Sequence, residues 1–144
     1  MKYRELRDAH QKQFDDYSNA NMFFAFSKSQ FAEGMAKFGL DPENKDDLKK
    51  VVSVGYGGYS LRSATKGLHE LMAQLDRELH DWVTASEENA YDALLDELCN
   101  HEYCITGDLG DGIYACGLTP DEINESPMLQ RALHRAAREA AKEG

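Results

Sequence analysis

The sequence has little positive charge and no long apolar run. It contains 16 Lys and Arg against 26 Asp and Glu, which gives a formal net charge of −10. This balance argues against direct binding to a nucleic-acid backbone or an anionic membrane surface, since both need Lys and Arg to pair with phosphates. No apolar run approaches the roughly 18 residues that span a bilayer, and Met1–Leu6 lacks the apolar segment of a signal peptide. We therefore expect a cytoplasmic protein that does not engage a membrane.

Cysteine is also scarce. The three cysteines are Cys99, Cys104 and Cys116, an odd number that favours free thiols over a disulfide framework when no signal peptide precedes them. Their spacings, C-x4-C and C-x11-C, match no standard zinc motif. We expect neither a metal nor another cofactor.

The acidity has two interpretations. A compact acidic protein can present carboxylates where a DNA-binding partner expects phosphates, which would make it a DNA mimic. Alternatively, the charge only keeps a small protein dispersed in water. The two readings predict different distributions of carboxylates, either clustered on one face or spread evenly.

The length of the chain and its helical periodicity predict one mainly α domain over residues 1–144. Hydrophobic residues make up 42% of the chain and aromatic residues 10%, which is enough for a sizeable core. The clearest helix contains Leu68, Leu75, Leu79 and Val83 on one face, at about 100° per residue. We expect about six helices in one compact domain, with one small β-hairpin near residues 51–61.

Several helix ends are also marked in the sequence. A helix over residues 3–17 should end at a turn spanning residues 18–21, and another short helix should run through Leu48 and Val51. Ser27 with Gln30 forms the pattern of a capping box. Ser86, Thr119 and Ser126 each precede residues favoured in a first helical turn.

The glycine- and tyrosine-rich segment at residues 55–60 is the first candidate binding site. Its backbone N–H groups could face a phosphate, with Arg62 and Lys66 adding positive charge, although no nucleotide-binding fingerprint is satisfied. Tyrosine also gives large contact area at low entropy cost, so such loops form protein-binding surfaces. A plain turn is the third alternative. The candidate residues here are Tyr56, Tyr59 and Arg62.

His101, Glu102 and Asp108 form the second candidate site. If the preceding helix continued through residue 105, His101 and Glu102 would lie at the edges of its apolar face, where ionisable groups need partners. Such a group could perform acid–base chemistry or bind a ligand or metal. Alternatively, the helix ends here and these residues bond to its last carbonyls.

The segment Met22–Phe26 is continuously apolar. It fits a buried strand, a lead-in to the next helix, or the interface of a homodimer, because five exposed apolar residues would be an unusual surface for a monomer. Periodicity alone does not decide between these alternatives.

Two stretches resemble a known group of proteins. They are Met22-Phe23-Phe24-Ala25-Phe26-Ser27-x-x-Gln30-Phe31, continuing to Gly39-Leu40, and Asn100-His101-Glu102-Tyr103-Cys104-Ile105-Thr106. Together they resemble a family of small proteins of unknown function from gut-associated bacteria, often encoded near phage or plasmid genes. The resemblance implies a cytoplasmic, mobile-element setting, but it brings no activity and no catalytic residues.

Binding to a protein partner is the function that these observations favour over catalysis. The expected protein is an intracellular accessory protein of a phage or plasmid that uses its acidic or Gly-Tyr-rich surface. The alternative is a small enzyme or metal- or ligand-binding protein that uses His101, Glu102 and Asp108.

Overall fold

The computed structural model describes residues 1–142, and the protein is mainly helical, with 71% of residues in helices. Within these residues there are nine α-helices, so the prediction of about six is wrong in number. Four of the nine are only four to six residues long, which is too short for a periodic apolar pattern to reveal them. The helices are α1 Tyr3–Asn21, α2 Lys28–Lys37, α3 Lys45–Leu48, α4 Thr65–Thr84, α5 Glu87–Asn100, α6 Tyr103–Thr106, α7 Gly110–Ala115, α8 Pro120–Glu125 and α9 Pro127–Ala141.

A three-stranded antiparallel sheet accompanies the helices. Its strands are β1 (Met22–Phe24), β2 (Val51–Gly55) and β3 (Gly58–Leu61), in the spatial order β1-β3-β2. The predicted hairpin is confirmed as β2 and β3. The sequence did not settle whether the apolar segment forms a strand, and the structure shows that its first three residues do.

Two predicted boundaries are wrong. Residues 18–21, expected to form a turn, are helical, and α1 continues to Asn21. The Asn21 side-chain amide donates to the Tyr17 carbonyl at 3.1 Å. The short helix expected to run through Val51 ends at Leu48, and Val51 instead begins β2 opposite Leu61. In both places a long-range or side-chain contact overrides the local pattern.

The N-caps predicted at Ser27, Ser86, Thr119 and Ser126 are confirmed, but the Gln30 side chain does not bond to the Ser27 N–H as a full capping box requires. Ser27 Oγ accepts the backbone N–H of Gln30, and the Gln30 side chain accepts the N–H of Phe26. The Ser86 and Ser126 hydroxyls each accept one backbone N–H at the starts of α5 and α9, and Thr119 forms a full capping box with Glu122. Each cap satisfies backbone donors that a helix leaves unpaired at its start.

The chain divides into two compact units. One, the hairpin unit, is Gln11–Met72, and the other, the acidic unit, combines Met1–His10 with the chain from Ala73 onward. The divisions fall inside α1 and inside α4.

The hairpin unit has a core between α2 and one face of the sheet. Phe23 and Val51 point to this face and pack with Ala25 and Met35. The close approach of α2 to the sheet requires glycine at position 34, because a Cβ built on Gly34 would lie 2.0 Å from Phe23 Cδ2. The same core contacts partly buried aromatic and aliphatic side chains, namely Phe31, Phe38, Leu40, Tyr59 and Leu61.

The acidic unit is built around α5. This helix packs against α7 and α9, and its Leu94 and Leu98 are fully buried. Full burial of a leucine side chain contributes about 2 kcal/mol before entropy costs are counted.

Charge is divided very unevenly between the two units. The hairpin unit carries eight Lys and Arg and eight Asp and Glu, so it is formally neutral, whereas the acidic unit carries eight and eighteen. The stretch from Glu78 to Gln130 contains thirteen Asp and Glu and no Lys or Arg. The entire formal charge of −10 therefore belongs to the acidic unit.

Candidate functional site: the hairpin aromatic surface

The turn of the hairpin holds a tyrosine in an unusual conformation. Tyr56 and Gly57 connect β2 to β3 with φ angles of 53° and 78°, which are the left-handed values of a type I′ turn. This turn matches the twist of the strands, but it suits Asn, Asp and Gly far better than an aromatic residue. The Tyr56 side chain is nevertheless 100% exposed.

Other apolar side chains surround this turn. Phe26 is 78% exposed, and its ring lies directly on Gly57, since a Cβ built there would be 2.3 Å from Phe26 Cε1. Phe24 is 50% exposed and lies beside Gly58, as does Val54. We call these four side chains the hairpin aromatic surface: Phe24, Phe26, Val54 and Tyr56.

The glycines of the hairpin shape this surface. Phe24 of β1 faces Gly58 of β3, which in turn faces Gly55 of β2. Because the central strand has no side chain at that position, Phe24 and Val54 both approach its backbone. A Cβ at Gly58 would lie 3.1 Å from a side-chain carbon of each. Gly57 leaves room for Phe26 in the same manner.

The start of α2 fixes Phe26. The Phe26 N–H donates to Gln30 Oε1 at 2.7 Å, and the Gln30 N–H donates to Ser27 Oγ at 3.2 Å. The exposed ring is thus carried by backbone held at a helix cap, so little of that backbone's freedom is left to lose on binding.

An open groove of about 650 Å³ adjoins the surface at Phe26. Tyr59 and Phe31 line it, and both are held by aromatic contacts: Tyr59 stacks on Phe23 with ring centroids 5.3 Å apart and meets Phe31 edge-on at 5.2 Å. Lys28 and Glu43 are the charged residues of the lining. The predicted candidate Tyr59 therefore belongs both to the core and to this groove.

Arg62 does not join Tyr56 and Tyr59. It follows β3 at the end of the hairpin opposite the turn, where its backbone N–H donates to the Lys50 carbonyl and its Nε to the Lys49 carbonyl, both at 2.7 Å. The sequence places these three residues within seven positions, but an extended strand separates its ends by more than 10 Å over four residues.

The second candidate group lies where α5 ends. His101 is the C-terminal cap of α5, and its Nε2 is 3.9 Å from Glu97 Oε2, one turn back. Glu102 has a left-handed backbone with φ of 57°, which turns the chain into α6. Asp108 accepts the N–H of Gly110 at 2.8 Å just before α7. The helix thus stops at Asn100 instead of continuing, and these residues mark helix boundaries.

Within residues 1–142, no group of three or more His, Cys, Asp or Glu side chains is arranged to hold a metal ion. His101, Glu102 and Asp108 are therefore not gathered as a metal-ligating set.

Glu97 is a charged residue that the sequence reasoning missed. Glu97 is only 6% exposed, and its carboxylate accepts hydrogen bonds from Asn100 Nδ2 at 3.1 Å and Arg4 Nη2 at 3.4 Å. Its position between Leu94 and Leu98, on the apolar stripe of α5, was the available signal.

Glu97 also affects two buried groups of the acidic unit. Burial, followed by smaller contributions that include the Glu97 charge, raises the pKa of the Tyr3 phenol and of the Cys116 thiol. Both groups therefore stay protonated at neutral pH, and Cys116 is not an activated nucleophile.

Eight of the thirteen carboxylates between Glu78 and Gln130 bond within the chain. Arg131 and Arg135 together contact Glu87 and Glu88, while Arg4 pairs with Asp96. The eight are Glu78, Glu87, Glu88, Asp92, Asp96, Glu97, Asp108 and Glu122. Most of the acidic groups in this stretch therefore have structural roles.

None of the helices within residues 1–142 combines the length and the apolar content needed to cross a membrane.

The protein is mainly helical, with a small three-stranded antiparallel sheet. The chain belongs to DUF7659, a family of unknown function, whose match covers residues 2–139. No curated protein and no solved structure matches the chain.

Proposed function

We propose that this protein binds another protein through the hairpin aromatic surface. The observation that carries the proposal is Tyr56, a fully exposed aromatic residue in a left-handed conformation that aromatic residues disfavour. Strain of this kind costs of order 1 kcal/mol. Folding gains nothing evident from the exposed ring in return, so a binding role accounts for it.

The neighbouring residues fit the same role. Phe26 and Phe24 add two partly exposed rings beside Tyr56. Aromatic residues are enriched at the centres of protein interfaces, because they bury large areas and have few rotatable bonds. The open groove next to Phe26 would receive a side chain of the partner.

A different protein, and not a second copy, is the partner we propose. The hairpin unit is itself formally neutral, but each whole copy carries a formal charge of −10, and this long-range repulsion opposes self-association at low salt. The homodimer hypothesis also loses much of its original basis, since Met22, Phe23 and Ala25 of the apolar segment are buried in the protein itself.

The proposed setting is the cytoplasm, where the protein would act as an accessory protein of a phage or plasmid. This part of the hypothesis rests on the family resemblance. The alternative, a small enzyme or ligand-binding protein using His101, Glu102 and Asp108, has less support, because Glu102 and Asp108 serve local backbone turns.

Affinity capture with matched variants tests the proposal. The wild-type chain, the double variant Phe26→Ser/Tyr56→Ser and the control Ile105→Ser/Tyr114→Ser would each be expressed in the native host and purified with associated proteins. Ile105 and Tyr114 are also exposed apolar residues, but they lie in the acidic unit. We expect one protein to copurify with the wild type and the control and to be lost from the double variant.

The affinity between the purified chain and the purified captured protein is then measured for each variant. Losing two aromatic anchors should weaken a direct complex by about 100-fold or more, while thermal unfolding shows that the variant remains folded. A captured protein that binds all three forms equally would contradict the proposal. If the wild-type chain forms a dimer and the Phe26→Ser/Tyr56→Ser variant is monomeric, the surface is a homodimer interface and the proposal of a different partner is wrong.

A further inference from the structure

A second groove of the hairpin unit collects positive charge. It has a volume of about 450 Å³ and is lined by Leu40, Lys49, Lys50, Leu61, Arg62 and Ser63. No Asp or Glu is among these residues, although the hairpin unit has as many acidic as basic residues. The lining of this groove is therefore locally cationic in a unit that is formally neutral.

Arg62 is fixed in this groove by its own backbone and side chain. Its N–H donates to the Lys50 carbonyl, and its Nε donates to the Lys49 carbonyl, both at 2.7 Å. These bonds use only one of the five N–H donors of the guanidinium, so the two terminal nitrogens retain the fork that matches an oxyanion. Since the side chain is already ordered, binding would cost little further rotamer entropy.

The two lysines differ in how far they are neutralised. Lys50 Nζ lies 3.2 Å from Asp47 Oδ1. The Asp41 N–H, followed by Lys50, holds the pKa of Asp47 below its ordinary value, so this carboxylate is charged at neutral pH. Within residues 1–142, Lys49 has no carboxylate in ion-pair distance. Lys49 and Arg62 therefore supply the uncompensated charge.

The other side of the groove is apolar. Leu40 and Leu61 pack against the core of Phe23, Met35 and Val51 while still lining the groove. The Leu40 N–H donates to the Met35 carbonyl at 2.9 Å, which fixes its backbone at the end of α2. An apolar floor beside fixed donors is the arrangement common to small-molecule sites, and the volume is in their range.

We propose that this groove binds a small organic oxyanion, with its phosphate or carboxylate head at Lys49, Arg62 and Ser63 and its apolar body on Leu40 and Leu61. The positive charge of Lys49 and Arg62 favours an anion, and the apolar surface of Leu40 and Leu61 favours an anion with an apolar organic group. This groove and the hairpin aromatic surface have no residue in common.

Titration with matched probes, followed by NMR amide shifts of the full chain, tests the proposal. Phenyl phosphate and 3-phenylpropionate carry both features, inorganic phosphate carries only the head, and benzyl alcohol carries only the ring. We expect both organic anions to shift the amides of Lys49, Lys50, Arg62 and Ser63. Phenyl phosphate should bind about fivefold more tightly than inorganic phosphate, as burial of roughly half a phenyl ring implies.

Two charge variants locate the binding. Lys49→Gln should weaken the binding of phenyl phosphate about tenfold or more, in line with the loss of one charge-assisted hydrogen bond. Lys66→Gln removes the same charge from an exposed position near Glu70, outside the groove, and should leave the affinity unchanged. Arg62→Lys keeps the charge but loses the fork, so it should also weaken binding.

Three results would overturn the proposal. One is the absence of shifts at these amides up to about 5 mM probe, a concentration that would fill most of a site with a Kd of about 1 mM. Another is equal affinity for inorganic and phenyl phosphate, which would remove any role for the leucines. The third is wild-type affinity in Lys49→Gln, provided that its spectrum remains that of the folded protein. If it does not, Ser63→Ala serves for the same comparison.

Discussion

At the scale of single residues, Tyr56 shows how a position can be poor for folding and useful for binding. Its φ of 53° lies in the left-handed region, where Asn is tolerated better than Tyr because its short polar side chain bonds locally. Its ring has full access to water and therefore gains little packing energy from the fold. Stability and function should then separate when this residue is changed.

Tyr56→Asn should increase the free energy of unfolding by about 0.5–1 kcal/mol, because Asn-Gly is the preferred pair for a type I′ turn. Urea denaturation of the purified chain measures this change. Tyr56→Val provides the opposite comparison, since a β-branched side chain is strained at positive φ, and it should lower the stability. If Tyr56→Asn is less stable than the wild type, the ring contributes to the fold and the argument for a binding role weakens.

At the scale of elements, the contact between α2 and the sheet depends on one glycine. A Cβ at Gly34 would lie 2.0–2.6 Å from three atoms of the Phe23 ring. That ring is itself confined by Tyr59, Phe31 and Phe38. The packed aromatic cluster therefore cannot yield without moving β1 or α2.

Gly34→Ala should destabilise the protein by about 2 kcal/mol. The better helix propensity of alanine is worth up to about 1 kcal/mol, but overpacking of a tight contact costs typically 1–3 kcal/mol and more for a clash with a ring. Chemical denaturation measures the balance. Ser29→Ala on the exposed side of α2 should change stability by less than about 0.5 kcal/mol, and an equal effect at both positions would contradict the packing argument.

The contact between α5 and α9 has an ionic component as well. Arg131 Nε and Arg135 Nη1 lie 2.6 and 2.9 Å from the Glu87 carboxylate. These bonds, that from Arg131 first, hold the pKa of Glu87 below its ordinary value of 4.5. Since a lowered carboxyl pKa stabilises the folded state only while the group is ionised, this contribution is present above pH 4.5 and is lost as the pH falls through the folded pKa.

Glu87→Gln should therefore be less stable than the wild type at pH 7, and the difference should shrink as the pH falls below 4.5. Thermal unfolding at several pH values measures both quantities. The matched control is Glu125→Gln, because Glu125 makes no ion pair within residues 1–142, and its difference from the wild type should stay small throughout. A pH-independent penalty for Glu87→Gln would instead point to packing.

Local signals predicted some of these elements well and others poorly. The capping pattern of Ser27 and Gln30 and the Val-rich, Gly-rich run of the hairpin were sufficient, because both structures form within a few residues. The strand β1 pairs Met22 with Ser60, a partner 38 positions away that no local pattern specifies. The sequence analysis also grouped Arg62 with Tyr56, because the two are close in sequence. Strand β3 lies between them and places them at opposite ends of the hairpin.

The continuation of α1 through residue 21 had a different cause. The Ser-Asn-Ala-Asn sequence favours a turn, yet Asn21 bonds back to the Tyr17 carbonyl inside the helix. The Tyr17 hydroxyl in turn donates to the Ala64 carbonyl, a contact across 47 positions that holds the end of α1. Tertiary contact outweighs turn propensity here.

At the scale of the whole molecule, charge is confined to one of the two compact units. Eighteen acidic and eight basic residues belong to the acidic unit, and the hairpin unit is formally neutral. Both proposed binding surfaces lie in the neutral unit, where an anion or an aromatic-binding partner meets no large local excess of negative charge. Repulsion among the carboxylates of the acidic unit should have its own effect on stability.

Raising the salt concentration should stabilise the protein. Between about 10 and 150 mM NaCl the screening length falls from about 30 to 8 Å, which weakens repulsion among distant carboxylates more than it weakens close pairs such as Arg135 with Glu88. We expect the unfolding midpoint to rise by about 3 °C, equivalent to roughly 1 kcal/mol for a domain of this size.

Hydrogen exchange locates that gain. Amides of residues 73–142 should gain more protection with salt than those of residues 11–72, because the excess charge belongs to the former. Asp81→Asn/Glu125→Gln removes two carboxylates that make no ion pair within residues 1–142, so it should raise stability at low salt and reduce the benefit of added salt. Equal gains in both stretches, or a midpoint that falls with salt, would mean that the internal ion pairs of the acidic unit outweigh its repulsion.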